Sequence, residues 1–240
     1  LILSLAIPPY IFGYSLSSFF ENYGTAYSLL NFFSPNIGNN LTLNLSAKTM
    51  TIISLSFSLF GYIYLLSMTT FNNQLGNYIE MSKTLGISKF RMIKTIIFPL
   101  SRPAIFIGIS LVAMETLSDF GTVSFFGIST LTTGIYNSWF IFDDLKTANL
   151  LSLFLLFFIL FFFLIESYSR KNIRFNNPSN SSKGETRKIS LNNSKSLLAF
   201  LFCSLIFFIS FLFPLFQMIY WSFNFYDIFQ LSEIIKLNIN

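Results

Sequence analysis

Residues 80–99 read EMSKTLGISKFRMIKTIIFP, a basic, amphipathic stretch broken by one glycine and set between two long apolar runs. Those flanks decide the fold. One run covers about 49–71 and the other about 102–119, each close to the ~20 helical residues that cross a hydrocarbon core of roughly 30 Å. Further apolar runs cover about 1–20, 148–168 and 196–221, so the sequence predicts about five spans. A chain that is 53% hydrophobic and only 10% charged lies outside ordinary globular usage. Continuous runs, rather than alternating ones, predict an all-α polytopic bundle and exclude a barrel.

The basic residues orient these spans, because Lys and Arg near span ends stay on the cytoplasmic side. Lys83, Lys89, Arg91, Lys94 and Arg102 form one group, and Arg170, Lys171, Arg174, Lys183, Arg187, Lys188 and Lys195 the other, twelve of the fifteen in all. Two spans separate the groups, which puts both on one side. Glu21 to Lys48 and Phe120 to Thr147 then fall outside. The linker 169–195, SRKNIRFNNPSNSSKGETRKISLNNSK, is too polar to bury a core. It reads as a cytoplasmic tether, either a plain positive-inside loop or a basic patch for anionic lipid or a partner. Because the chain begins at Leu1 inside an apolar run, the expectation is a fragment of a longer polypeptide.

Several chemistries are excluded by composition. Histidine is absent and Cys203 is the sole cysteine, so neither a His/thiolate metal cage nor a disulfide framework is available, and metal chemistry would have to use oxygen ligands. No G-x-x-x-x-G-K-[ST] loop cradles phosphates. Neither a catalytic residue nor a bound cofactor is expected.

Within the stretch quoted above, Tyr78, Met81 and Leu85 share one helical face. Gly86 then supplies the left-handed turn that ends a helix, and Ser88 is placed to cap a second one carrying Phe90, Ile93 and Ile97. Pro99 and Pro103 punctuate the approach to the next span. Two angled short helices make either an interfacial connector or a knob for a soluble partner to grip.

The third run, RPAIFIGISLVAMETLSDFGTVSFFG from Arg102, puts Glu115 and Asp119 on one face at i and i+4. A charge at the centre of a span costs about 2.5–3.5 kcal/mol, so such acids face a bundle interior or a wet cavity. Hard carboxylate oxygens suit a highly charged cation, and both residues are candidates for lining a substrate path. Equally, Glu115 could bond to neighbouring helices and Asp119 could cap a turn at Gly121. The run 151–165 is almost all Leu and Phe, as suits a lipid-facing helix without chemistry. Tyr136, Trp139, Tyr220 and Trp221 suit interface belts.

The spacing of Glu80, Gly86, Ile96 and Pro99 resembles the EAA loop of bacterial ABC-importer permeases, with Met81 and Ser82 replacing the two alanines. In that family the loop over about 76–99 would be the coupling helix that docks on the ATPase. The string METLSDFGTVSFFGISTLTTGIYNSWF (114–140), with LAIPPY near the start, resembles the permeases of periplasmic ferric-iron importers. Such permeases fuse two homologous halves. The resemblance thus implies that 1–168 is the later part of a first half, 169–195 the linker, and 196–240 the start of a second half. It also implies a multi-pass protein of the bacterial inner membrane. Its partners would be two copies of a cytoplasmic ATP-binding subunit, a periplasmic binding protein, ferric iron as cargo and the lipid bilayer, with no nucleic acid.

ATP hydrolysis in trans would drive alternating access in this chain, a transport subunit and not an enzyme. Thiamine or a phosphonate remains an alternative cargo for a related fused permease. A membrane-embedded enzyme is a reading from another class, in which Glu115 and Asp119 would be an acid pair. An intramembrane aspartyl protease, however, wants its acids on two facing spans, and these share one helix.

Overall fold

The structure is a computed structural model that describes residues 1–21, 24–33, 45–71, 82, 84–172 and 193–224. Every regular element among them is helical. The chain opens with a 3-10 helix, Ile2–Ala6, followed by α1, Pro9–Phe20. Ile7 between them is extended (φ −103°, ψ 114°), as expected for a residue whose α conformation is blocked by the next proline ring. Pro9 opens α1, where its missing N–H costs nothing. The first expected span is therefore two helical pieces with a break at the proline pair.

After α2, Thr25–Phe33, α3 runs over Ala47–Thr70. Ser46 starts it by accepting from the Thr49 N–H at 3.3 Å. Next come α4, Lys89–Met92, a π-helical turn, Ile93–Ile97, and α5, Phe98–Ser118, without a break. The expectation was that Pro99 would separate a short helix from the span. Instead the backbone widens ahead of it, with the Phe98 N–H reaching back to the Ile93 carbonyl. A wider turn makes room for a ring that would otherwise strike the carbonyl four residues back. The same device recurs before Pro214, where the π turn Phe208–Leu212 links α9, Asn193–Phe207, to α10, Phe213–Asn224.

Between α5 and the long α8, Leu145–Asn172, the chain is not an open loop. It forms α6, Gly121–Phe125, α7, Leu131–Tyr136, and a π turn, Asn137–Ile141. Thr130 and Thr133 close a reciprocal capping box at the start of α7. α6 packs on α1, and α7 packs on α8.

Among the described residues, four helical stretches are long and apolar enough to cross a membrane: 47–70, 90–118, 145–168 and 193–224. They pack as membrane helices do, through small residues that let backbones approach. α3 and α5 cross so closely that a Cβ on Gly108 would lie 2.8 Å from Ile63 Cα. At Gly61 a Cβ would lie 2.7 Å from Leu5 Cγ, so the 3-10 helix nests there against α3. Ser4, Ser15, Ser54, Ser58, Ser101 and Ser110 are buried, whereas Leu and Phe side chains of α8 and α9 are exposed. That inverted distribution matches a bilayer, where apolar side chains gain nothing by leaving lipid. Phe12 is fully buried, stacked on Phe57 at 5.9 Å and edge-on to Phe213 at 6.3 Å. The last span thus packs against α1. Gln217 Nε2 adds a hydrogen bond to Thr25 Oγ1 at 2.6 Å.

Candidate functional site

Two regions carry functional geometry, a cavity among the spans and a turn at their basic end. The cavity holds about 190 Å³ and is bounded by the Ile7–Pro9 break, one face of α3 (Leu55, Ser58, Leu59, Tyr62) and the end of α5 (Glu115, Ser118, Asp119). The break thus forms one wall of it. Ser58 is the twelfth residue of α3, so the cavity lies about 17 Å from either end of that helix at 1.5 Å per residue. Glu115 and Asp119 border the cavity from the last turn of α5, and α6 and α7 follow them in the chain.

The two acids differ in what they touch. Asp119 Oδ2 accepts from the backbone N–H groups of Thr122 (3.1 Å) and Val123 (3.2 Å), and Oδ1 accepts from Thr122 Oγ1 at 3.0 Å. Its backbone carbonyl accepts from Thr132 Oγ1 at 2.8 Å, tying α6 to the start of α7. Asp119 is a helix-capping residue whose oxygens are already engaged. Glu115 is exposed to the cavity, lies close enough to act electrostatically on the Tyr62 phenol, and forms no recorded hydrogen bond or ion pair among the described residues. Also among those residues, no group of three His, Cys, Asp or Glu side chains converges in a metal cage.

Ser58 and Tyr62 were not singled out in the sequence. Their signal was a polar stripe of Ser54, Ser58 and Tyr62, spaced by four along an apolar helix. Ser54 bonds back to the Met50 carbonyl at 2.7 Å, as helical serines usually do, whereas Ser58 Oγ is buried and without a partner among the described residues. Glu166, buried near the basic end of α8, was also missed because it follows an unbroken Leu/Phe run.

At the basic end, Gly86 is left-handed (φ +67°), and the Ile87 N–H donates to the Ser82 carbonyl at 3.1 Å. That pairing is the six-to-one bond of a Schellman helix end. Ser82 is buried and its hydroxyl donates to Met92 Sδ at 2.8 Å, so one side of the turn is tied to α4 on the other. The Ser88 carbonyl accepts from the Met92 N–H at 2.9 Å. Leu85 and Phe90 are 75% and 79% exposed, leaving an apolar surface on both sides of the turn. Ile96 is half-buried in the π turn and Pro99 is exposed at the start of α5. Glu80, with Tyr78 and Met81, lies outside the described residues.

At the opposite ends of the spans, Asp144 caps α8, accepting from the Thr147 hydroxyl and from the N–H groups of Thr147 and Lys146, both at 3.1 Å. Those bonds, the Thr147 hydroxyl first, hold its carboxyl below the ordinary value of 3.8.

The described residues form a bundle of long apolar helices with a glycine turn at its basic end. The family described as binding-protein-dependent transport system inner membrane component matches residues 1–175, and the chain belongs to it. It is thus a multi-pass membrane protein. The chain is also 34% identical over 146 residues to the Fe(3+)-transport system permease protein FbpB 2 of Haemophilus influenzae. That match covers 59% of this chain and 28% of the relative, so the chain spans well under half of that protein's length. No solved structure matches the chain.

Proposed function

We propose that the chain is membrane-spanning machinery of an ATP-driven importer of the bacterial inner membrane. A periplasmic binding protein would deliver ferric iron, and alternating access would carry it across. The observation that carries this reading is the Schellman turn at Gly86, a rigid bend with exposed Leu85 and Phe90 at the basic end of a family permease. A rigid knob transmits force from a soluble motor, whereas a floppy loop would absorb it. ATP hydrolysis belongs to a separate subunit, in two copies, that grips this turn, and the permease itself catalyses no reaction.

Iron as cargo is supported by the 34% identity to a ferric permease and by the carboxylates of Glu115 and Asp119 bordering a cavity among the spans. A hard trivalent cation favours oxygen donors. The basic residues of 83–102 and 170–195 support a cytosolic position for the turn. In membrane vesicles holding the full-length permease, its ATPase and its binding protein, ATP should drive uptake of labelled iron, with thiamine and phosphonates failing to compete. Uptake indifferent to iron would overturn the cargo.

A further inference from the structure

Three cations near the basic end of the spans share a face that the described residues leave uncovered. Arg91, Lys94 and Arg102 are exposed, and none of them pairs with an acid among the described residues. Phe98, Phe106 and Ile109 are about half exposed between and beyond them, while Ser101, Ala104, Ile107 and Gly108 are buried on the other side of α5. Residues four apart run about 40° ahead of a full α turn. The wider π turn Ile93–Ile97 takes back part of that drift, so Lys94 stays in line with Phe98, Arg102 and Phe106. The Arg102 guanidinium lies 5.1 Å over the Phe98 ring, which holds it on this face.

Depth fixes what the face meets. The helical stretch 90–118 has 29 residues, about 43 Å at 1.5 Å per residue, against a hydrocarbon core of roughly 30 Å. Pro103 to Met114 carry no charge, so that part lies in the hydrocarbon. The excess at the basic end lies among the headgroups, with Arg102 at the boundary. Phe106 and Ile109 then face acyl chains. A soluble partner cannot follow a face that runs unbroken into the hydrocarbon, whereas a phospholipid is charged at one level and apolar at the next, as this face is.

We propose that this face seats an anionic phospholipid, with Arg102 and Lys94 holding the headgroup phosphate between them, Phe98 positioning Arg102, and Phe106 and Ile109 lying along an acyl chain. The fork of arginine suits two phosphate oxygens, and lysine adds a point charge. A zwitterionic headgroup brings its own ammonium to the same place, so unpaired protein cations favour the anionic lipid. The seat spans the π turn, the joint between α5 and the segment that carries Gly86. A lipid bound there braces the link on which an ATPase gripping that turn would pull. The site does not depend on the cargo.

The test places the full-length permease with its ATPase in nanodiscs of phosphatidylcholine with a minor share of phosphatidylglycerol, one or the other brominated on its chains. Phe106→Trp supplies the reporter, read as the emission gained over the same protein without it, because bromine quenches a tryptophan only on contact. Brominated phosphatidylglycerol should quench it more per molecule than brominated phosphatidylcholine, by about tenfold or more. Arg102→Gln and Lys94→Gln should each lower that preference about fivefold and Phe98→Leu about twofold, whereas Arg102→Lys should keep most of it. If Arg102→Gln fails to fold, Lys94→Gln and Phe98→Leu carry the test, since both positions are exposed. Equal quenching by the two lipids in the reporter protein overturns the site, and so does an unchanged preference when Arg102→Gln and Lys94→Gln are combined. An unchanged preference together with loss of the ATPase from the complex overturns it in favour of a contact between these cations and the ATPase.

Discussion

The Ile87 amide donates to the Ser82 carbonyl at 3.1 Å across a left-handed Gly86. A Cβ on Gly86 would meet nothing within 4 Å, so the requirement for glycine there is conformational and not steric. The two causes predict different substitution patterns.

Left-handed backbone costs a residue with a Cβ about 1–2 kcal/mol, and more for a branched one, while asparagine tolerates it. Gly86→Val should therefore reduce solute moved per ATP by about tenfold, with Gly86→Asn close to wild type and Gly86→Ala between. The ratio of uptake to ATP hydrolysis in proteoliposomes measures this. Equal coupling in all three would remove the turn from the transmission path.

Asp119 holds the start of α6 by three hydrogen bonds. Asp119→Ala should destabilise this corner by about 1–2 kcal/mol, and Asp119→Asn by less, since its carbonyl oxygen can still accept. Hydrogen exchange should speed up at the Thr122 and Val123 amides. Unchanged exchange there would mean that the cap is not formed in the membrane.

Gly108 sits where α3 and α5 cross, and the nearest obstacle to a Cβ is the Ile63 backbone at 2.8 Å. Backbone cannot move aside as a side-chain tip can. Gly108→Ala should cost about 1–3 kcal/mol, seen as a lower unfolding midpoint in detergent, and Gly108→Val more. Wild-type stability in Gly108→Val would disprove the close crossing.

Asp144 has its carboxyl held below 3.8 by the Thr147 hydroxyl and neighbouring amides. Because the folded value is the lower one, its cap is fully present above 3.8 and is lost as pH falls through the folded value. The Thr147 amide resonance should shift with a midpoint below 3.8, and Asp144→Asn should abolish that titration. A midpoint at or above the ordinary value would contradict the cap.

Glu115 and Asp119 were legible in the sequence as acids on one helical turn, but spacing alone left both roles open for each. α5 ends at Ser118 and a new helix begins at Gly121, which presents the Thr122 and Val123 amides to Asp119 while Glu115 borders the cavity without such a bond. Ser58 and Tyr62 were invisible as partners because they lie on α3, more than fifty residues earlier, and only the crossing at Gly108 brings α3 to α5. Ser82 looked like a departure from a motif, yet it contacts Met92 once the Gly86 turn folds one arm back.

What the sequence by itself determined is the helical, membrane-spanning class, the basic side and the glycine turn. Run length against bilayer thickness, the cost of an unpaired backbone in lipid and the conformational freedom of one residue are local or summed properties. Only the tertiary structure decided that a cavity lies beside the break at Pro8 and Pro9, that α4 runs into α5 through a π turn, and which of two neighbouring carboxylates stays unpaired. Those outcomes depend on which groups approach one another in space, and a hydrogen bond or a void is a property of that approach.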